Sequence, residues 1–581
     1  MMVWAALAGL TLVLAGLSGN AHAQSAAIAQ AAPPVLNPVD RLAPRPAPNL
    51  SPSATTPPPV AATGPNAGAE VRVAKVALRG NLALGDAELA AALGGLAGRQ
   101  VPLSRIEDAR LAVLRAYRSA DYPFTAVNAG LAPAEAGVEV TFAITEGFVA
   151  EVKLEGDIGA AGTQVLRFLD RLVGAKPVSG AMIERALLLA SDIPGVTVRG
   201  TLRPLTTEPG ALHLVAQVEH KTVSGYLNVD NRAYRYVGPW QGLLTFGVNS
   251  LTEFGERSEL SFFGTPTGAQ WFVQGSEEFF LGGSGLRMRL YAGTGVTRPF
   301  GKVGANGYQG EAQVGGVSLS YPIFRSRPFN LTAVTALDLF DSTVTTGFGE
   351  NRTRASLDKI RILRGGMDFQ LLDSWVPLLP SATMVGNFRI HNGLNGLGAT
   401  ATNSVTAARS GSNFGFTKAT AEIQRTQPLF SPFEQGMVNV QGLFAGQWTD
   451  DVLPSAEKFY LGGSRLGRGF YNGQISGDRA WGAAVELQLD TAFELPTEPV
   501  IGNGRYTAQW YAFRDVGRTF ENLRTDVGRR LSSYGGGVRL VVSDTVQFDA
   551  EVAQRVTRRP DGAAADALRE TAAIFRTLVR Y

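Results

Sequence analysis

Cysteine does not occur in this 581-residue chain, which excludes a disulfide framework, a thiolate metal site and a cysteine nucleophile. Histidine is nearly as scarce. His22, His213, His220 and His391 stand far apart, without ligand spacing, so no metal site is expected. No G-x-x-x-x-G-K-[ST] run exists, since Gly301-Lys302 is followed by Val303, and neither a nucleotide nor another cofactor is expected. No G-x-S-x-G elbow or other nucleophile motif is found, so the chain does not read as an enzyme and offers no catalytic residue. Charge of one sign is also lacking: 53 basic against 50 acidic residues leave +3, which does not suggest nucleic acid as a partner. Beyond Leu17 no stretch approaches the ~18 apolar residues of a membrane-crossing helix.

Glycine is in surplus, with 68 residues spread along the chain and no Gly-X-Y period. Short strands rich in glycine and aromatics suit barrel corners and tight turns. Residues 1–23 read as a secretory signal. The apolar run Val3 to Leu17 precedes Ala21-His22-Ala23, an A-x-A cleavage pattern before Gln24, although no Lys or Arg stands ahead of the run. A retained anchor is the alternative. Residues 24–69 hold eleven prolines among Ala, Ser and Thr, a composition that cannot bury enough apolar surface to fold and reads as a linker or tether. Within it, Ser25 to Ala32 is too short to be assigned as a pore-filling helix.

From Glu70 the pattern changes. VRVAKVALRG alternates as a strand, Leu89, Leu93 and Leu96 recur at helical spacing, and Ser104 with Glu107 spells a capping box. That box opens a second helix carrying Ile106, Val113, Leu114 and Tyr117 on one face, and Val138, Val140, Phe142 and Ile144 then alternate as a strand. Residues 149–219 repeat the order strand, helix, helix, strand, strand, with helices near 163–173 and 180–191. The two units are an internal repeat, bounded here at 70–148 and 149–219.

After His220 the helical signal disappears. Sixteen strand-like segments follow, near Tyr226, Leu244, Leu260, Phe272, Met288, Val314, Thr332, Ile362, Met384, Ala421, Val440, Val485, Trp510, Val538, Phe548 and Phe575. Their alternation is of the lipid-out, lumen-in kind: Phe548, Ala550 and Val552 against Gln547, Asp549 and Glu551, or Val485, Leu487 and Leu489 against Glu486, Gln488 and Asp490. A soluble sandwich alternates too, but not over 361 residues behind a signal segment. The expected fold is α+β repeats followed by a transmembrane antiparallel β-barrel of about sixteen strands over 220–581, with the lipid bilayer as one partner. Tyr581, sharing a face with Val579, Thr577 and Phe575, ends the last strand.

Two small mixed repeats ahead of such a barrel resemble the two-partner secretion translocators of the TpsB type, the haemolysin secretion and activation family, whose repeats are called POTRA domains. The resemblance covers about 70–581 and rests on LAGRQVPLSRIEDARLAVLRAYRSADYPF and on VTFAITEGFV with its Glu146-Gly147. It rests further on ERALLLASDIPGVTVRGTL with Asp192 to Val196, and on GYLNVDNRAYRYVGPWQGLLTFGVNSL at the barrel entrance. Its sharpest motif is EKFYLGGSRLGRGF, residues 457–470, in a sixth external loop bounded at 449–479. The family carries Val-Arg-Gly-Phe/Tyr there, on a loop folded into the lumen. Arg468, Gly469 and Phe470 match, while Gly467 replaces the aliphatic residue. The partner motif Phe-x-Asp-x-Gly is Phe513, Asp515 and Gly517 on the thirteenth strand, and Asp515 has the inward parity of Thr507 and Gln509.

A sixteen-stranded lumen is too wide for its own side chains to fill, and an arginine can hold a carboxylate through two parallel hydrogen bonds. Gly469 would let the tip turn tightly and Phe470 would pack beside the pair. By the residues alone, Arg468 reads rather as a solvated loop arginine and Asp515 as part of a strand-end Asp-x-Gly turn. It is the placement of both motifs that turns the reading toward a loop–barrel pair. The remaining lumenal charges read as solvated pore lining. The resemblance implies an outer-membrane translocator whose repeats, in the periplasm, capture an unfolded TpsA-type exoprotein for export through the barrel. It also implies Tyr581 as a C-terminal assembly signal, read by the barrel-assembly machinery, and a monomeric state. A barrel-assembly factor is the alternative. A passive porin or receptor is a third, against which the N-terminal repeats argue.

Overall fold

The computed structural model describes residues 38–44, 50–51, 68–206, 208–494, 505–543, 545–563 and 565–581. The expected signal segment, Ser25 to Ala32 and most of the proline-rich stretch lie outside the described residues.

Both repeats have the element order expected. In the first, Glu70–Arg79 runs parallel to Gly137–Thr145, which pairs antiparallel with Ala126–Ala134. Helices Asp86–Leu93 and Leu103–Ser119 cover one face, burying Leu89, Ile106, Val113, Leu114 and Tyr117 against Val73, Val140 and Phe142. The second repeats this arrangement. Phe148–Gly156 is parallel to Ala211–His220, Val196–Pro204 is antiparallel to it, and helices Gly162–Leu169 and Gly180–Ser191 lie above. One three-residue strand, Gln100–Pro102, was not foreseen. It explains why the Ser104–Glu107 capping box does not form. The chain enters the helix straight from that strand, Leu103 N–H donating to Ala69 O at 2.9 Å, so Pro102 is the N-cap and Ser104 already lies inside. Glu107 is taken instead by Arg110, at 2.6 and 2.8 Å.

Glu146 and Gly147 form the joint between the repeats. The Glu146 carboxylate accepts from the amides of Leu82 and Ala83 and from the Tyr117 hydroxyl, each at 2.8 Å. Burial, and then this bond to Glu146, push the Tyr117 phenol well above its ordinary range. A Cβ on Gly147 would meet the Phe124 Cβ at 2.6 Å, and Phe124 packs onward into the second repeat. Glu146→Ala is expected to destabilise the first repeat by roughly 2–4 kcal/mol, because three donors lose a charged acceptor. Hydrogen exchange checks this: the Leu82 and Ala83 amides should exchange faster, and unchanged rates would remove Glu146 from this role.

Sixteen antiparallel strands, from Val223–Asp230 to Thr571–Arg580, close into a barrel, and each of the sixteen segments foreseen falls in its own strand. Parity sorts the side chains: Trp510, Phe548 and Val552 point outward and exposed, whereas Asp515, Glu486 and Glu551 are buried inside. The last strand meets the first over a short seam, Arg576 opposite Asp230 through Arg580 opposite Tyr226. Asn231 lengthens this seam with its side chain, donating to Ala573 O at 3.1 Å and accepting from Phe575 N–H at 2.9 Å. Tyr581 extends its other end, exchanging two backbone bonds with Gly225 at 3.0 and 3.1 Å.

The second repeat docks on the hairpin turns at one end of the barrel. Arg325 grips Asp192 with two bonds, 2.7 and 2.8 Å. The Ser250 hydroxyl donates to Pro194 O at 2.7 Å, so the Asp192–Val196 motif is a docking element. Phe168 meets Phe280 edge-on at 5.2 Å, and Arg167 pairs with Glu253 at 2.9 Å.

Candidate functional site

The loop 449–478 leaves the barrel at the end away from the repeats and returns through the lumen; Arg479 already opens the next strand, Arg479–Glu494. A 3-10 turn at Ser455–Glu457 leads into a small hairpin, Phe459–Leu461 against Ile475–Gly477, which carries the tip. The tip delivers Arg468 to Asp515 on the strand Arg505–Phe520. The Arg468 guanidinium donates to the carboxylate at 2.9 and 3.1 Å, and its own backbone N–H adds a bond at 2.7 Å. Both side chains are sealed, Arg468 at 4% exposure and Asp515 at 0%.

Burying charge is costly unless it is paired and fully hydrogen-bonded, and the surroundings supply what is needed. Arg468 also donates to Glu486, and Arg539 braces Glu486 from behind at 2.6 and 3.0 Å. The Arg468 carbonyl accepts from Arg232 at 2.6 Å, and Arg232 is held by Glu551 at 2.8 Å. Tyr511 donates to the same Glu551 at 2.9 Å. The Arg468 guanidinium carbon lies 3.7 Å from the centre of the Phe513 ring, a cation–π contact made inside the lumen.

The glycines act through space and conformation in ways the sequence reading distributed differently. The left-handed turn falls at Gly467, with φ +81°, which accounts for the missing aliphatic residue: Leu466, one position earlier, supplies the apolar contact instead. Gly469 is bare for a different reason than tight turning, because a Cβ there would meet the Ser533 Cβ at 2.9 Å. Gly517 leaves room for Leu461, whose Cδ1 would lie 2.8 Å from an added Cβ. Phe470 joins an apolar cluster with Leu461, Leu466, Leu531 and Leu568, while the ring lying on the guanidinium is that of Phe513. Tyr581 is remote from this site, at the seam.

Several residues read as solvated pore lining belong to the loop's anchorage. Glu486, Arg539, Arg232 and Glu551 form the network just described. Arg465 grips Glu422 with both guanidinium nitrogens, and Glu457 is bound by Lys418 at 2.8 Å and Arg364 at 3.3 Å. Inward parity marked Glu486 and Glu551 in the sequence. Nothing there gave their height in the barrel, which decides what they touch.

A second segment occupies the lumen. Within the proline-rich stretch, the short helix Val39–Leu42 packs Val39 onto Leu243, Phe263 and Phe272, and Asn228 donates to Leu42 O at 2.9 Å. Ser51 N–H then meets Arg327 O at 3.1 Å, at the end where the repeats dock. Between this segment and the loop tip lies a cavity of about 850 Å³, lined among others by Leu42, Arg465, Arg468, Arg576 and Glu551.

Comparison with known proteins agrees with this architecture. The family model of the haemolysin secretion/activation proteins ShlB/FhaC/HecB matches residues 343–540, a span containing the loop tip and Asp515. The heme/hemopexin transporter protein HuxB of Haemophilus influenzae is 22% identical over 485 residues, covering 82% of each chain. Among solved structures, CdiB from Escherichia coli superposes with a TM-score of 0.68 at 15% identity, over 92% of this chain and 94% of that one. CdiB from Acinetobacter baumannii gives 0.61 at 16%, over 93% and 95%. The structural likenesses concern the fold.

Proposed function

Taking the chain as a TpsB-type two-partner secretion transporter of the outer membrane, the type that the family match and the curated relatives support, we propose that it exports one large exoprotein captured unfolded in the periplasm. The observation that carries this is a barrel whose lumen is filled by a loop tip that is bound through side chains rather than woven into the wall. The repeats lie in the periplasm and offer sheet edges, Ala126–Ala134 in the first and Val196–Pro204 in the second. An extended chain can add to such an edge through backbone bonds, which supply affinity without demanding one sequence. The family is one of translocators and not of enzymes, and folding of the exoprotein outside the cell would drive transit.

Deleting the chain and comparing secreted with periplasmic proteins tests the proposal. One large β-rich protein should vanish from the surface and accumulate in the periplasm while porin levels hold. A general fall in barrel proteins would instead indicate an assembly factor, and an unchanged set of secreted proteins would end the export reading.

A further inference from the structure

We propose that the loop 449–478 consists of a fixed stalk and a hinged tip, and that Glu457 is the positioning residue that fixes the stalk. This rests on the export reading and adds which part of the loop moves. Two sets of contacts hold the loop, one on each side of glycines in left-handed conformation on its two limbs.

The stalk is pinned from many sides. The Glu457 carbonyl accepts from Lys418 at 2.6 Å and from Gln447 at 3.2 Å. Its carboxylate takes the same ammonium at 2.8 Å and Arg364 at 3.3 Å, and Arg364 is held in turn by Asp338 at 2.8 Å. Three barrel strands thus converge on one loop residue and a fourth braces Arg364 behind it; the Glu457 side chain is 8% exposed. Gln447 also donates to Asp478 O at 2.9 Å, so one wall residue ties both legs of the loop. Asp478 is itself gripped twice by Arg409, at 2.6 and 2.9 Å. Lys458, next in the chain to Glu457, pairs with Glu521 at 2.7 Å.

The tip, residues 464–472, is held by Arg465 to Glu422 and Arg468 to Asp515 and Glu486, by Arg232 and Arg555 donating to the Arg468 and Gly469 carbonyls, and by Phe470 packed with Leu531 and Leu568. The first of these pairs is more open, at 30% and 17% exposure. Between stalk and tip the backbone passes through glycines in left-handed conformation on both limbs, Gly462 and Gly463 with φ +107° and +117° on one and Gly473 with φ +65° on the other. A few element-terminal residues of this kind are where a rigid-body swing is absorbed. Releasing these tip contacts together would swing about nine residues into the cavity beside them and leave the legs in place.

Because the natural chain has no cysteine, paired cysteines can lock either part without ambiguity. For the tip, Gly469→Cys with Ser533→Cys joins positions whose Cβ atoms would lie 2.9 Å apart; for the stalk, Gly477→Cys with Thr519→Cys joins positions 2.7 Å apart. Neither glycine sits at positive φ, and a disulfide needs only a small retreat to its usual Cβ spacing of about 3.8 Å. Single-channel recording of the full chain in planar bilayers with potassium chloride reads the result. The tip lock should abolish the large openings until a reductant is added. The stalk lock should leave opening frequency within roughly twofold of the cysteine-free chain. Glu457→Ala should raise spontaneous openings by roughly tenfold, the ratio expected when a charge-assisted anchor is lost, with Lys418→Met acting alike, and the stalk disulfide should return Glu457→Ala to the original frequency. Silence from the stalk lock, free opening of the tip lock, or failure of that rescue each overturns the hinge. The export reading stands or falls separately, on whether a strain lacking the chain still secretes its exoprotein.

Discussion

A chain reduced to residues 1–23, the expected signal segment, and residues 220–581 is expected to insert as a heat-modifiable barrel and to export nothing. The cut at 220 leaves the first strand, Val223–Asp230, whole, together with the seam it makes with Thr571–Arg580. Every backbone bond that closes the barrel is thus retained, which is the condition for spanning a bilayer. What is lost is the docked face, where Phe280 loses Phe168 and Arg325 loses Asp192, and the lumenal cover of Val39 and Leu42 over Leu243, Phe263 and Phe272. These changes expose polar, charged and aromatic groups at the barrel rim and apolar side chains in the lumen, and break no bond of the wall. The expected defect is therefore in function. A capture site tethered beside a pore raises the local concentration of what it binds, and removing it should lower export by roughly a hundredfold or more. Band-shift electrophoresis reports the barrel, and immunoblots of the culture medium report export. Secretion at the level of the intact chain would show that the repeats do not capture.

The strands were legible because membrane barrels keep period-2 alternation under two different solvents, and because a strand's parity survives errors in its ends. Asp515 was legible for the same reason. The berth for residues 39–42 was not read, although the sequence carried its signal. On three neighbouring strands the alternation fails in one direction: Leu243 beside Leu244, Phe263 beside Phe262, Phe272 beside Trp271. The second partner of each pair faces the lipid side and the first faces inward, buried at 0%, 5% and 1%. Apolar side chains on the inward parity of a wet lumen require a cover, and Val39 with Leu42 is that cover. The Ser104 capping box failed for a local reason, the strand-to-helix turn at Pro102, which a motif four residues long cannot announce. Arg465 and Glu457 stayed hidden because their partners lie 43 and 39 residues earlier in sequence, on strands whose stagger in the barrel is set only on closure.

Arg468→Ala should leave the barrel inserted and reduce export roughly ten- to a hundredfold. Its carboxylate partner explains the size. Asp515 is wholly buried and, among the described residues, has one charged neighbour within bonding distance, the guanidinium that the substitution removes; a single backbone N–H from residue 468 remains. Breaking a buried pair from one side costs about 3–5 kcal/mol, and a lumen open to water lowers this, since a displaced tip lets the carboxylate rehydrate. Displacement is therefore the expected response, with a population shift of about tenfold for each 1.4 kcal/mol. Asp515→Ala should be the milder change, because Arg468 keeps Glu486 and the Phe513 ring. The double mutant should be no worse than Arg468→Ala alone, as expected of groups in direct contact, and it should open less than that single change because no buried carboxylate is stranded. Export assays and bilayer recordings on the four proteins of the cycle give the coupling. Additive defects would separate the two residues, and normal export from both single variants would return Arg468 to the role of a loop arginine that happens to lie against the wall.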